Sequence, residues 1–102
     1  MNSDQIITRL IKLLSEKRLS HSIRVSDTAS KLALMHNIDK NIIEISGLVH
    51  DIAKEQTPSS LKLKGLDVSP FDDVWLNYPS VWHAFIAPSV VQLVFPEMDH
   101  VL

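Results

Sequence analysis

Apolar residues recur at every third or fourth position along most of the chain, which is the spacing of an amphipathic α-helix. Ser3 is the predicted N-cap of a first helix that ends near Lys17 and Arg18, because basic side chains suit a helix C-terminus. Ser20 is the predicted cap of a second helix, which closes near His36. The apolar stripe of the first helix contains Ile6, Ile7, Leu10, Ile11, Leu13 and Leu14.

A third helix is predicted to begin at the cap residue Asp39 and to continue to Val49. Few of its residues are charged on any face, so we expect this helix to lie in the centre of the fold. It ends in the dipeptide His50-Asp51, which places an imidazole and a carboxylate together at the end of an apolar run. Without a cation or another partner, such a pair carries a desolvation cost.

Proline and glycine divide the second half of the chain into shorter predicted helices. A cap followed by proline begins a short helix over residues 57–65, and a similar signal begins another over residues 69–76. A longer helix is predicted over residues 78–96, in which Pro88 should introduce a kink or start a new helix. No alternating strand pattern is present, so the predicted fold is all-α, with one domain over residues 1–102.

The composition limits the function classes. The chain has 102 residues, of which 45% are hydrophobic, and its formal net charge is −2, so no basic footprint indicates nucleic acid or an anionic membrane as a partner. Cysteine is absent, which excludes disulfides and thiolate chemistry. Neither a membrane-spanning stretch nor a signal peptide is recognisable, and a cytoplasmic protein is therefore expected.

The candidate chemistry depends on histidine and aspartate. Together, His50 and Asp51 suit iron, manganese or zinc, although an ordinary helix end that collects a histidine is the alternative. His21 and His83 lie on two other predicted helices and could converge with this pair, because metal centres in helical domains take ligands from several facing helices. The two remaining histidines, for which a surface or capping role is the simpler explanation, are His36 and His100.

Three segments together resemble a known family. They are SHSIRVSDTA over residues 20–29, GLVHDIAKE over residues 47–55 and WHAFIA over residues 82–87. In order and spacing they resemble the HD-domain metal-dependent phosphohydrolases, and most closely the YqeK branch, whose members hydrolyse diadenosine tetraphosphate symmetrically. The resemblance implies an HD-type helical bundle and a nucleotide substrate.

The resemblance also implies roles for individual residues. The metal ligands would be His21, His50, Asp51 and His83, and the divalent metal would be iron, with manganese as a second possibility. Asp51 is in addition the residue expected to bridge ions or hold the attacking water, and Lys54 would lie near the phosphates. Arg24, one helical turn after His21, could offer its guanidinium to a phosphate. The alternatives are a salt bridge from Arg24 to Asp27 or another local acid, and a solvated Lys54 at a helix end.

The expected activity is hydrolysis of diadenosine tetraphosphate to two ADP. The alternative is a catalytically impaired HD scaffold that senses a nucleotide or binds a protein. Family members continue well beyond the third histidine, and residues 95–99 resemble the loop after it, so Asp99 and His100 come too early to be the later ligands. We therefore expect an incomplete domain, shortened at its C-terminus, whose second and third helices keep uncovered apolar faces that could support a homodimer.

Overall fold

The computed structural model describes residues 1–98, so Asp99 and His100 lie outside the described residues. Within residues 1–98 there is no strand, which confirms the all-α prediction. The helices are α1 (Ser3–Leu10), α2 (Glu16–Met35), α3 (Lys40–Val49), α4 (Pro58–Leu63), a 3-10 turn (Ser69–Phe71), α5 (Asp72–Asn77) and α6 (Pro79–Val94). Helix α3 packs against α2 and α1, and α5 packs against α6.

The boundary between the first two helices differs from the prediction. Helix α1 is capped by Asn2 rather than Ser3 and already ends at Leu10. Helix α2 then begins at Glu16, because the Ser15 side chain accepts the N–H of Arg18 as an N-cap. The predicted cap at Ser20 is therefore wrong, and so is the predicted end of the first helix near Lys17 and Arg18. Helix α2 is long enough, at 20 residues, to carry Arg18 and His21 on one continuous helix.

Helices α2 and α3 approach each other closely at Gly47. A β-carbon added at Gly47 would lie 2.7 Å from the Cα of Ser26, a distance that real β-carbons do not show. The crossing is further fixed by the Ser26 hydroxyl, which donates to the Glu44 carbonyl at 2.7 Å. Asp39 caps α3 as predicted, since its carboxylate accepts the N–H of Asn41 at 3.0 Å. This crossing sets the position of the C-terminal end of α3.

The local signals around α4 are confirmed, whereas the predicted helix over residues 69–76 is divided into the 3-10 turn and α5, and neither begins with a side-chain cap. Thr57 forms a capping box with Ser60 at the start of α4, and Gly65 follows that helix with a φ of 90°. Helix α6 is one continuous helix from Pro79 to Val94, so of the two effects expected of Pro88, the start of a new helix is not found. Pro88 is on the exposed side of α6, where the carbonyl that loses its partner can bond to water.

The core is formed by apolar side chains from most of the helices, and at one end of it Arg9 connects α1 to the end of α6. The Arg9 guanidinium donates to the Val94 carbonyl at 2.9 Å, pairs with Glu97 and lies 5.5 Å from the centre of the Phe95 ring. Helix α1 is thereby fastened to the end of α6. The fully buried core side chains include Ile6, Leu10, Ile52, Leu61, Trp82, Ile86, Val90 and Phe95.

Several large apolar side chains near the end of α2 and the start of α3 are exposed. Met35 is 75% exposed, and the others in this region are Leu32, Leu34, Ile38 and Ile42. These exposures agree with the expectation that the second and third helices keep uncovered apolar surface, and the homodimer inferred from it stays a prediction. Across residues 1–98, none of the helices combines the length and the apolar character that a membrane span requires.

Candidate metal centre

Two helices and one turn bring three potential metal ligands together. His21 lies in α2, and His50 and Asp51 are the first two residues of the turn that follows α3. One ligand atom from each side chain lies within 4.8 Å of the other two. The sequence-predicted ligands His21, His50 and Asp51 are therefore brought to one point by the crossing of α2 and α3.

The distances suit a single ion. Oδ2 of Asp51 lies 3.2 Å from Nε2 of His50 and 3.6 Å from Nε2 of His21. Ligands that each bind a transition metal at about 2.0–2.2 Å have donor atoms separated by about 3–4 Å. The two imidazole rings are 5.5 Å apart, centre to centre, and are tilted by 50° to each other.

A hydrogen bond to the backbone orients the His50 ring. Its Nδ1 lies 2.7 Å from the carbonyl oxygen of Gly47, which can only accept, so Nδ1 carries the proton. In the neutral ring, Nε2 then has a free lone pair that points toward the Asp51 carboxylate. A cation could be bound by both of these acceptor atoms, which lie 3.2 Å apart. The residues present therefore fit a divalent cation, and the Gly47 carbonyl is the kind of outer partner that orients ligating histidines.

Arg18 is a member of the site that the sequence reasoning missed. Its Nη1 lies 3.0 Å from Oδ2 of Asp51, the same oxygen that faces both histidines. The side chains of Arg18 and Asp51 are only 28% and 23% exposed. The signal was the spacing of Arg18 three residues before His21, which places both on one face of a helix. The predicted break between the first two helices hid that relation.

His83 lies across the cleft from the cluster rather than within it. A cleft of about 140 Å³ opens between the turn after α3 and the start of α6. Its lining residues are His50, Asp51, Ala53, Lys54, Ser80, His83 and Ala84. Nε2 of His83 lies 3.2 Å from the Gln56 carbonyl oxygen, so this ring is held toward the backbone of the turn. The expectation that His83 is a metal ligand stays a prediction.

Lys54 and Arg24 line two different clefts, each of which also contains a residue of the cluster. Lys54 is exposed at the cleft, with its charge available to a bound anion. Arg24 lines a separate, mainly apolar groove along α2 together with His21 and Leu32. Within residues 1–98, Arg24 forms no ion pair, so the alternative pairing with Asp27 is not found in this part of the chain.

His36 takes the role expected for it. It is the exposed C-cap of α2, and its backbone N–H bonds to carbonyls of the last turn. This confirms the interpretation of His36 as a capping residue outside the metal centre. The corresponding expectation for His100 lies outside the described residues.

Glu55 ties the ligand-bearing turn to the start of α2. Its Oε1 accepts the backbone N–H of Ser15 at 2.8 Å, although 40 residues separate the two positions. Hydrogen bonds from Ser15 hold the pKa of the Glu55 carboxyl below its usual range, and the charge of Arg18 lowers it further. The contact helps to keep the element with His50 and Asp51 against the helix that carries His21.

Comparison with known proteins gives consistent matches. The sequence model of the family described as "HD domain" matches residues 18–92, which include His21, His50, Asp51 and His83. No solved structure matches the chain significantly.

Three curated relatives are similar in sequence. A symmetrical bis(5'-nucleosyl)-tetraphosphatase of Bacillus subtilis is 29% identical over 90% of this chain and 50% of its own length. A Staphylococcus aureus protein of the same name is 46% identical over 40% of this chain and 21% of its own length. A probable nicotinate-nucleotide adenylyltransferase/Ap4A hydrolase of Mycoplasma genitalium is 25% identical over 95% of this chain and 27% of its own length. The chain thus spans half or less of each relative.

Proposed function

The chain belongs to the HD-domain family, and we propose that it acts in metal-dependent hydrolysis of a nucleotide, the symmetrical cleavage of diadenosine tetraphosphate to two ADP. The observation that carries this proposal is the convergence of His21, His50 and Asp51 beside a cleft that also contains Lys54. The names of the three relatives support the substrate, because each refers to hydrolysis of a dinucleoside tetraphosphate.

The proposed cofactor is a divalent metal, iron or manganese. Two imidazoles and one carboxylate form a mixed nitrogen and oxygen ligand set, which suits both metals. When bound, such an ion would activate a water molecule and polarise a phosphoryl oxygen. The Gly47 carbonyl keeps the His50 ring in the tautomer that metal binding requires.

The proposed reaction adds water to one inner phosphorus of the tetraphosphate. A new P–O bond forms to the water oxygen, and the bond from that phosphorus to the central bridging oxygen breaks. The bridging oxygen leaves as a terminal phosphate oxygen of the second ADP, and the two protons of the water pass to the terminal phosphates of the products or to solvent. Asp51 is the proposed residue that holds and orients the water, and Lys54 is proposed to contact the phosphates from its position in the cleft. Arg24 is proposed to contact a more distant phosphate, beyond His21 on α2.

The test is the product pattern from diadenosine tetraphosphate. The protein, freed of metal and then supplied with Fe²⁺ under anaerobic conditions or with Mn²⁺, should yield ADP as its only nucleotide product by chromatography. His50→Ala should abolish turnover, because it removes a ligand and its backbone contact. His36→Ala is the matched control, since His36 is an exposed helix cap outside the cluster.

The same assay separates the enzyme from a binding module. A module that only senses the nucleotide would bind diadenosine tetraphosphate with measurable affinity and release no ADP with any divalent ion. Formation of AMP and ATP would show hydrolysis at a different bond and would contradict the symmetrical cleavage. Hydrolysis that is unchanged in His50→Ala would refute the proposed site.

A further inference from the structure

Arg18 directs its charge at the same carboxylate oxygen that the metal would need. Nη1 of Arg18 lies 3.0 Å from Oδ2 of Asp51, closer than Nε2 of either His50 or His21. Arg18 reaches this point from one turn before His21 on α2, so its position follows from the same helix that delivers a ligand. The guanidinium is permanently charged, so loss of a proton cannot remove its charge from the site.

The Asp51 oxygen that faces Arg18 is also the oxygen that faces both histidines. The ion pair of Arg18 with Asp51 therefore places a positive charge of the protein beside the oxygen that a divalent ion would need. A divalent ion at the same oxygen would instead meet the guanidinium as a like charge a few ångströms away, which is unfavourable.

The ion pair of Arg18 with Asp51 is partly exposed to solvent, because the two side chains are 28% and 23% exposed. Arg18 can therefore leave Asp51 without a buried charge being stripped of its partner. Glu55 is a further anion in the same turn, and the charge of Arg18 contributes to the lowered pKa of its carboxyl.

We propose that Arg18 competes with the metal for Asp51. Arg18 pairs with this carboxylate when no metal is bound, and it thereby lowers the affinity of the site for a divalent ion. This inference rests on the proposed metal site but not on the identity of the nucleotide. Arg18 would then be a residue that sets the affinity of the site for its ion. Removal of its charge should strengthen metal binding, whereas a purely supporting role for Arg18 predicts weaker binding.

The experiment is calorimetric titration of the purified full chain with Mn²⁺ alone, at near-neutral pH and low salt. Arg18→Gln and Arg18→Met should each bind Mn²⁺ more tightly than the unmodified protein, by about threefold to fivefold, the size expected for a partly exposed ion pair. Lys17→Gln is the matched control, because it removes one positive charge from the exposed surface of the same helix. It should leave the Mn²⁺ affinity within error, and thermal unfolding confirms that each variant is folded.

Weaker or unchanged Mn²⁺ binding in both folded Arg18 variants would overturn the proposal. Equal tightening in Lys17→Gln would also overturn it, because the effect would then be one of general charge. If neither the unmodified protein nor the Arg18 variants bind Mn²⁺, the metal-dependent function fails together with the competition. If all bind equally, only the competition fails, and the proposed hydrolysis stands or falls by its own assay.

Discussion

Replacement of Gly47 by alanine tests whether the close crossing of α2 and α3 builds the metal centre. The added β-carbon would lie 2.7 Å from the Cα and 3.0 Å from the backbone nitrogen of Ser26, whereas ordinary contacts begin near 3.4 Å. The clashing atoms belong to the backbone, so the helices themselves must move apart. Overpacking of this kind costs about 1–3 kcal/mol, and alanine returns about 0.5–1 kcal/mol of helix propensity. We expect a net loss of about 1–2 kcal/mol in the free energy of unfolding.

The same substitution should weaken the site. Separation of α2 from α3 moves His21 away from His50 and Asp51, and it shifts the Gly47 carbonyl that orients the His50 ring. Because disturbance of groups that orient metal ligands costs about tenfold or more in affinity, we expect Mn²⁺ to bind about tenfold more weakly. Urea unfolding followed by circular dichroism gives the stability, and calorimetry gives the affinity.

The matched control is Ser46→Ala, one residue earlier on α3. The Ser46 hydroxyl donates only to the Ile42 carbonyl within the same helix, so alanine here leaves the helix crossing intact. We expect this variant to be as stable as the unmodified protein and to bind Mn²⁺ equally well. If Gly47→Ala is equally stable and keeps full Mn²⁺ affinity, the reasoning about the crossing is refuted.

Three further substitutions have expected outcomes. His83→Ala should weaken Mn²⁺ binding less than His50→Ala in calorimetry, because its ring lies outside the cluster, and an equal loss would show that it moves in as a ligand. Glu55→Gln should lower the free energy of unfolding at neutral pH, because the pKa of the Glu55 carboxyl is lowered in the folded state and its ionised form therefore stabilises the fold. The difference in free energy from the unmodified protein should shrink as the pH falls below the usual glutamate range, where the carboxylate becomes protonated. A difference in the free energy of unfolding that stayed constant in urea titrations across that pH range would contradict this prediction. Arg9→Ala should lower the free energy of unfolding by about 1 kcal/mol through loss of its contacts with Val94 and Phe95, whereas the exposed Lys12→Ala should have no effect.

Helix signals that act locally were readable from the sequence. Asp39 caps α3 and Thr57 caps α4 through hydrogen bonds that span two or three residues, so the neighbouring sequence is enough to predict these caps. The choice between Ser15 and Ser20 as the cap of α2 was not local. Ser15 is fixed by the Glu55 carboxylate, 40 residues away, and no periodicity reveals that contact.

The candidate site was predicted in part for the same reason. The resemblance pointed to His21, His50 and Asp51, and the structure brings these three together. Arg18 was missed because the predicted helix boundary separated it from His21, although the two are a helical turn apart in the continuous α2. The position of His83 depends on how α6 packs against the turn after α3, which is a tertiary property that sequence spacing does not contain.

The central claim is that His21, His50 and Asp51 hold one divalent ion. Pulsed electron paramagnetic resonance of Mn²⁺ bound to the protein tests it directly, because imidazole nitrogen couples to the electron spin of the metal. We predict coupling from histidine nitrogen that decreases in His21→Ala and in His50→Ala and is unchanged in His36→Ala. A Mn²⁺ signal without nitrogen coupling, or coupling that persists unchanged in both His21→Ala and His50→Ala, would contradict it.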